Sequence, residues 1–244
     1  MQRSAVLLSG GVDSAVLLVD EASRDEVQPI YVSAGLAWEA AERQMVDRLL
    51  ASLVARDRVR PLAAIGVDMR DVYAREHWAV TGRPPSYHTP DEDVYLPGRN
   101  VILFGKAGVY CAAAGISRLT IGTLEHNPFP DATPEFRSAM QRALSLGLAH
   151  DLRIDAPYAA TSKADVIRRG AELGVPFELT LSCMSPQRSG QPPVVSAQTG
   201  HWSLATGHYI HCGTCSKCRE RHDAFLQAGV PDPTKYANTA YVRG

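Results

Sequence analysis

Residues 5–18 read Ala5-Val6-Leu7-Leu8-Ser9-Gly10-Gly11-Val12-Asp13-Ser14-Ala15-Val16-Leu17-Leu18. An apolar run, a polar stretch with paired glycines and a second apolar run predict a buried strand, a tight turn and a helix. Gly10 and Gly11 lack Cβ atoms, so the backbone there can turn sharply and approach a ligand closely. The turn leads into a helix start, where free N–H groups and the positive end of the helix dipole attract anions. Ser9 and Ser14 add hydroxyl donors. Asp13 would repel a phosphate unless a cation lay between them, which points to Mg²⁺. Residues Leu8–Leu18 are therefore a candidate seat for a diphosphate. The plainer alternative is an ordinary strand–helix turn with Asp13 as its cap. No Gly-Lys-Ser/Thr follows the glycines, and no G-x-G-x-x-G is present, so the Walker loop and the dinucleotide fingerprint are both excluded.

Outward from this stretch, helix and strand patterns alternate. A helix runs from Asp13 to about Ser23, a strand over Val27–Ser33, a helix over Trp38–Ala55 and a weaker strand over Arg60–Val67. This order predicts an α/β fold with a doubly wound, mostly parallel sheet covered on both faces. Ligands of such sheets sit at the carboxyl ends of the strands, where Ser9–Ser14 falls. Residues 70–98 form a long segment with Pro84, Pro85, Pro90 and Pro97, of the kind that is usually functional or mobile. It ends in Leu96-Pro97-Gly98-Arg99-Asn100, ahead of an apolar helix reaching Ala114. Strands are expected at Arg118–Thr123 and Asp151–Ala156. Helices are expected after Thr133-Pro134-Glu135, after Ser162-Lys163-Ala164-Asp165, and over Arg219–Ala228.

The chain has 244 residues and a net charge of −1, with acids and bases interspersed. That length suits one large domain or one domain with a small appendage. The balanced charge argues against a broad nucleic-acid footprint. No membrane span and no secretory signal are evident, so a cytoplasmic location is expected. In that compartment, clustered cysteines are metal ligands more often than disulfides.

Several polar residues stand where chemistry could occur. Arg99 offers a planar fork for a carboxylate or phosphate, and Asn100 offers a donor and an acceptor. Equally, Asn100 could cap its helix and Arg99 could be solvated. Glu125 and Asp131 flank a strand end and could hydrogen-bond a ligand or simply be solvated. Lys163 opens a helix, an unfavourable place for a cation unless an anion lies there. Cys111, among alanines, reads as core. Cys212, Cys215 and Cys218 form C-x₂-C-x₂-C, a spacing that closes on one metal ion. Cys183 is the natural fourth ligand, with His208, His211 and His222 as alternatives. An iron–sulfur cluster uses similar runs. Zinc is preferred because nothing else in the chain suggests redox chemistry.

The Ser9–Ser14 loop resembles the S-G-G-x-D-S loop of the ATP-pyrophosphatases. Six further motifs follow it in order. They are Leu-Pro-Gly-Arg-Asn at 96–100, Pro-Asp-x-x-Pro-Glu-Phe at 130–136 and Ser-Lys-Ala-Asp at 162–165. Ser-Cys at 182–183, Cys-Gly-x-Cys-x-x-Cys-x-x-Arg at 212–221 and Gly-Val-Pro-Asp-Pro-Thr at 229–234 complete the set. Together they resemble the 7-cyano-7-deazaguanine synthase (QueC) family of queuosine biosynthesis. The resemblance implies an adenine-nucleotide-hydrolase-like fold, with a nucleotide-binding part at 1–180 and a zinc-binding C-terminal part at 181–244. It implies ATP and Mg²⁺ at Leu8–Leu18, catalytic roles for Asp13, Lys163 and Arg99, and substrate contacts from Arg99, Asn100, Glu125 and Asp131. Structural Zn²⁺ would sit on Cys183, Cys212, Cys215 and Cys218. The implied reaction adenylates a deazapurine carboxylate, displaces AMP with ammonia, and adenylates the amide again to leave a nitrile. A homodimer is also implied. The chain departs from the family pattern at 33–38, at 123–128 and in the long 184–211 insertion, which contains Trp202. These segments are expected to line the substrate pocket, so a ligase acting on a related deazapurine acid or another carboxylate is the alternative.

Overall fold

Strand β1 (Arg3–Leu7) lies buried on both faces, as its unbroken apolar run requires. The computed structural model describes residues 3–53, 57–189 and 208–242. Helix α1 (Val12–Ala22) leads to β2 (Glu26–Ser33), then α2 (Glu39–Ser52) and β3 (Ala63–Gly66). A short α3 (Trp78–Thr81) precedes α4 (Arg99–Ala113), β4 (Arg118–Thr120), α5 (Pro134–Leu148), β5 (Arg153–Asp155) and α6 (Lys163–Glu172). The five strands make one parallel sheet in the order β3-β2-β1-β4-β5. The chain winds outward from β1 in one direction and returns to wind outward in the other from β4. The doubly wound expectation holds, and the switch point lies between β1 and β4.

Alternate residues of each strand feed two cores. Val6, Leu8 and Tyr31 pack with α1, α2 and α6, while Ala5, Leu7, Ile30 and Val32 pack with Phe104, Ala107 and Cys111 of α4. Cys111 is fully buried, and burial pushes its thiol up to about 12, so it is an inert core residue.

Several elements are shorter than the sequence pattern predicts. The regular strand contracts to Ala63–Gly66, although Arg60 N still donates to Val27 O at 2.9 Å and Val67 N to Ser33 O at 2.8 Å; Pro61, which has no N–H, interrupts the ladder between them. The helix read over 38–55 ends at Ser52, and 54–56 lie outside the described residues. The strands read at 118–123 and 151–156 each contract to three residues.

The C-terminal part adds β6 (Gln187–Ser189) and β7 (His208–Ile210), an antiparallel pair, and α7 (Ser216–Ala228). The pair went unread in the sequence; Trp202 and the rest of 190–207 lie outside the described residues. Ala224, Phe225 and Ala228 of α7 join the same core as β1 and α1. The tail after α7 is anchored through its described residues. Asn238 N donates to Cys212 O at 3.1 Å, and Tyr241 stacks on Tyr87 at 4.7 Å between centroids. No helix among the described residues is long and apolar enough to cross a membrane.

Candidate active site

A cavity of about 380 Å³ opens at the carboxyl ends of β1, β2 and β4. Ser9, Gly11, Val12, Asp13 and Ser14 form one wall. Gly10 takes φ +78°, and a Cβ on it would lie 3.0 Å from Val46 Cγ2, so glycine is required there on two grounds. Its carbonyl accepts from Leu181 N at 2.7 Å. Gly122, just past β4, lets the neighbouring strand close on the loop: a Cβ there would meet the Asp13 carbonyl carbon at 3.2 Å. Gly11 is the N-cap of α1, and no side chain caps the helix. Asp13 is therefore not the cap. Ser14 Oγ donates to Gly11 O at 3.1 Å and lies 3.3 Å from Ser9 Oγ, fixing the loop's shape. Ala15, Val16, Leu17 and Leu18 are fully buried in the core beneath the loop and do not reach the cavity.

Four helices begin at this cavity. First-turn residues of α1 (Val12, Asp13), α4 (Arg99, Asn100), α6 (Lys163) and α7 (Lys217) all line it. Three of the four starts carry a cation, the charge that a helix N-terminus disfavours. The arrangement suits an anionic ligand. Arg99 makes no guanidinium hydrogen bond or ion pair among the described residues, so its fork is open to the cavity.

Lys163 Nζ lies 3.3 Å from Asp13 Oδ2 and also donates to Glu220 Oε1. Burial alone would lower the Lys163 pKa, but Asp13 and Glu220 outweigh it and hold the ammonium well above its usual range. Burial would likewise raise Glu220, yet Lys163 and Lys217 pull it below the carboxylate range. Asp13 is raised, by burial first, against the opposing pull of Lys163. Lys163 is thus shared between Asp13 and Glu220, and burial still leaves Asp13 raised. Asp13 Oδ1 is buried with no hydrogen-bond partner among the described residues.

Asn100 does not cap α4, whose N-cap is Gly98 at φ +76°. Its backbone N donates to Asp131 Oδ2 at 3.0 Å, and its side-chain amide donates to Asp131 O at 3.0 Å and Oδ1 at 3.3 Å. The two residues lock the α4 start to the turn before α5, and both face the cavity. Glu125 is also on the wall, with its backbone N on Thr161 O at 3.3 Å.

The opposite end of the cavity is made of side chains; residues of the 33–38 and 123–128 segments line the cavity, while Glu42 and Trp78 were absent from the sequence reading. Trp38 and Trp78 stack at 5.6 Å and Tyr95 and Phe129 at 5.2 Å between centroids. Glu42 accepts from Tyr31 Oη at 3.2 Å and Trp38 Nε1 at 3.1 Å, and burial pushes its carboxyl up to about 7 despite nearby Arg99. Glu39 is spent on the end of β2, accepting from Ser33 Oγ at 2.5 Å and Ala34 N at 2.6 Å.

Behind the cavity, the sulfurs of Cys183, Cys212, Cys215 and Cys218 lie within 4.8 Å of one another, all buried. The closest pairs are 3.5, 3.8 and 4.0 Å apart. A tetrahedral ion with ~2.3 Å bonds to sulfur requires edges of about 3.8 Å. Disulfides would need about 2.05 Å, so the cysteines fit a metal ion. Backbone N–H groups of Ser185, Cys212 and Thr214 donate to the sulfurs at 3.3, 3.2 and 3.4 Å, as thiolate ligands require. The histidine alternatives lie outside the cluster; His211 Nε2 accepts from Ser182 N at 3.1 Å. Arg221, fully buried, ties this region together through Thr180 Oγ1 at 2.8 Å, Phe177 O at 3.0 Å and Thr234 Oγ1 at 2.5 Å.

Comparison with known proteins agrees with this geometry. Residues 3–229 match the family model described as "Queuosine biosynthesis protein QueC". The chain is similar to the 7-cyano-7-deazaguanine synthase of Anaeromyxobacter dehalogenans, with 31% identity covering 97% of this chain and 96% of that protein. The synthase of Methanoculleus marisnigri is 30% identical over 97% and 99% of the two chains. That of Thermoplasma volcanium is 27% identical over 97% and 91%. The protein belongs to the QueC family of queuosine biosynthesis proteins.

Proposed function

We propose that the protein is an ATP-dependent 7-cyano-7-deazaguanine synthase, converting 7-carboxy-7-deazaguanine and ammonia to the nitrile. The observation that carries this reading is the convergence of four helix starts, three of them bearing Arg99, Lys163 and Lys217, on the cavity that the Ser9–Ser14 loop walls. Such a cavity suits a polyphosphate and a carboxylate together. A carboxylate resists attack by ammonia until one oxygen becomes a leaving group, and adenylation supplies that. The loop amides and Lys163 would hold the diphosphate and stabilise charge as the α–β bond breaks. Arg99 would orient the acid, with Asn100, Asp131 and Glu125 shaping its seat. AMP leaves when ammonia attacks the acyl carbon. The amide oxygen is adenylated in turn, and loss of that second AMP with the nitrogen's protons leaves the nitrile.

The orphaned Asp13 Oδ1 fits a hard cation, and Mg²⁺ held there would neutralise phosphate charge. The cysteine cluster fits zinc in a structural role, because four closed thiolate ligands leave no open position. A four-iron cluster would spread the sulfurs around a cage larger than these distances allow. A cytoplasmic location and a homodimer accord with the family reading; exposed Val109 and Leu146 on α4 and α5 offer apolar surface for the second copy.

The test is incubation with ATP, Mg²⁺, ammonium and 7-carboxy-7-deazaguanine, with products read by mass. A nitrile with two AMP per product is expected. AMP formed only with a different acid would replace this reading with a diverged ligase. No ATP cleavage with any acceptor would overturn it.

A further inference from the structure

Helix α7 does more at the cavity than carry a metal ligand. Lys217 and Glu220 flank Cys218 and both line the wall facing the Ser9–Ser14 loop. Glu220 stands between two lysines, with Oε1 accepting from Lys163 Nζ and Oε2 from Lys217 Nζ. Lys163 continues to Asp13 Oδ2 at 3.3 Å. A chain of alternating charges, Lys217–Glu220–Lys163–Asp13, therefore runs from the cysteine cluster to the first turn of α1.

The charge count of that chain depends on the ligand. With Asp13 facing the lysines, two carboxylates balance two ammonium groups. Once Asp13 turns its charge to a cation, Glu220 alone faces Lys163 and Lys217, and one positive charge is left over at the wall. Lys217 occupies the first turn of α7, where the helix dipole also disfavours it. Its ion-pair partner among the described residues is the Glu220 that it shares.

We propose that Lys217 is a further phosphate-binding residue, contacting the diphosphate of ATP beside Lys163, with Glu220 as the positioning residue that holds both ammonium groups at the wall. The proposal rests on the nucleotide reading above. It gives the metal cluster a role in the site: Cys215 is the N-cap of α7 and Cys218 lies in its first turn, so the cluster sets the direction in which Lys217 leaves the helix.

Calorimetric titration of the metal-replete protein with Mg-ATP, Mg-pyrophosphate and AMP tests it. Lys217→Met should weaken ATP and pyrophosphate binding by about ten- to a hundred-fold, the worth of one charge-assisted hydrogen bond, and leave AMP binding unchanged. Lys217→Arg should recover most of the loss. The double variant Lys217→Met/Glu220→Gln restores the charge balance without restoring the contact, and should stay weak. Wild-type pyrophosphate affinity in Lys217→Met, or recovery in the double variant, would overturn the proposal while leaving the nucleotide reading intact. A wild-type protein that takes up neither ATP nor pyrophosphate would sink both. Unchanged metal content and thermal midpoint in each variant exclude misfolding as the cause.

Discussion

The two ends of the cavity are built from different materials. The end proposed for the phosphates is mainly backbone: glycines at 10, 11 and 122, an uncapped helix start, and a carbonyl at Gly10 fastened to Leu181. The other end is side chains, with Trp38, Trp78, Glu42, Arg99, Tyr95 and Phe129 brought from separate segments. A backbone-built site tolerates little substitution where an added Cβ would crowd a neighbour, as at Gly10 and Gly122. A side-chain-built site can be retuned one residue at a time.

That contrast can be broken most severely at Gly10. Gly10→Val adds both a left-handed strain and a collision with Val46, and should cut AMP formation by on the order of a hundred-fold, the usual consequence of misplacing a reacting group by about 1 Å. Gly98→Ala is the matched control: φ is +76° but nothing lies within 4 Å, so it should cost only ~1–2 kcal/mol of stability by denaturant unfolding and spare ATP cleavage. Equal losses at both positions would mean strain, not close approach, governs the loop.

Next in size is the metal cluster. Cys183 is joined through Ser182 and Leu181 to Gly10 O, so the cluster buttresses the phosphate end from behind. Chelation, or Cys215→Ser, should lower the melting temperature by on the order of 10 °C and weaken Mg-ATP binding in parallel. A fall in stability with intact ATP affinity would separate the two regions.

At the side-chain end, Arg99→Met should raise the KM for the acid about tenfold, the loss of one charge-assisted contact, and leave ATP affinity unchanged. The smallest effect concerns Glu42. Its carboxyl is raised to about 7 by burial, so the folded state holds a proton that the unfolded state has released. The stabilisation is present below the ordinary glutamate value of 4.5 and is lost as pH rises toward 7. Wild type should therefore lose melting temperature relative to Glu42→Gln between about pH 5 and 7. Parallel curves would show that Glu42 titrates normally.

The same contrast explains what could be read in advance. The phosphate loop is contiguous, and glycines, strand and helix state its purpose within fourteen residues. Thr133 and Ser162 cap α5 and α6 as their neighbours require, accepting from Phe136 N and Asp165 N. The parallel sheet followed from alternation, though its regular strands are shorter than the pattern suggests. The side-chain end had no such signal. Glu42 looks like one more exposed residue on a helix until Tyr31 and Trp38 are seen to bracket it. Trp78 belongs to a four-residue helix, too short for periodicity to show. Lys217 did carry a clue, since it opens a helix against the dipole as Lys163 does, but it was hidden inside the cysteine motif.

The central claim is that an oxygen of the acceptor acid takes up the adenylyl group beside the Ser9–Ser14 loop. It is tested most directly with 7-carboxy-7-deazaguanine carrying ¹⁸O in both carboxylate positions, with AMP and product read by mass spectrometry. Each AMP released should carry one ¹⁸O and the nitrile none. Unlabelled AMP, formed while the acid is consumed, would contradict the account.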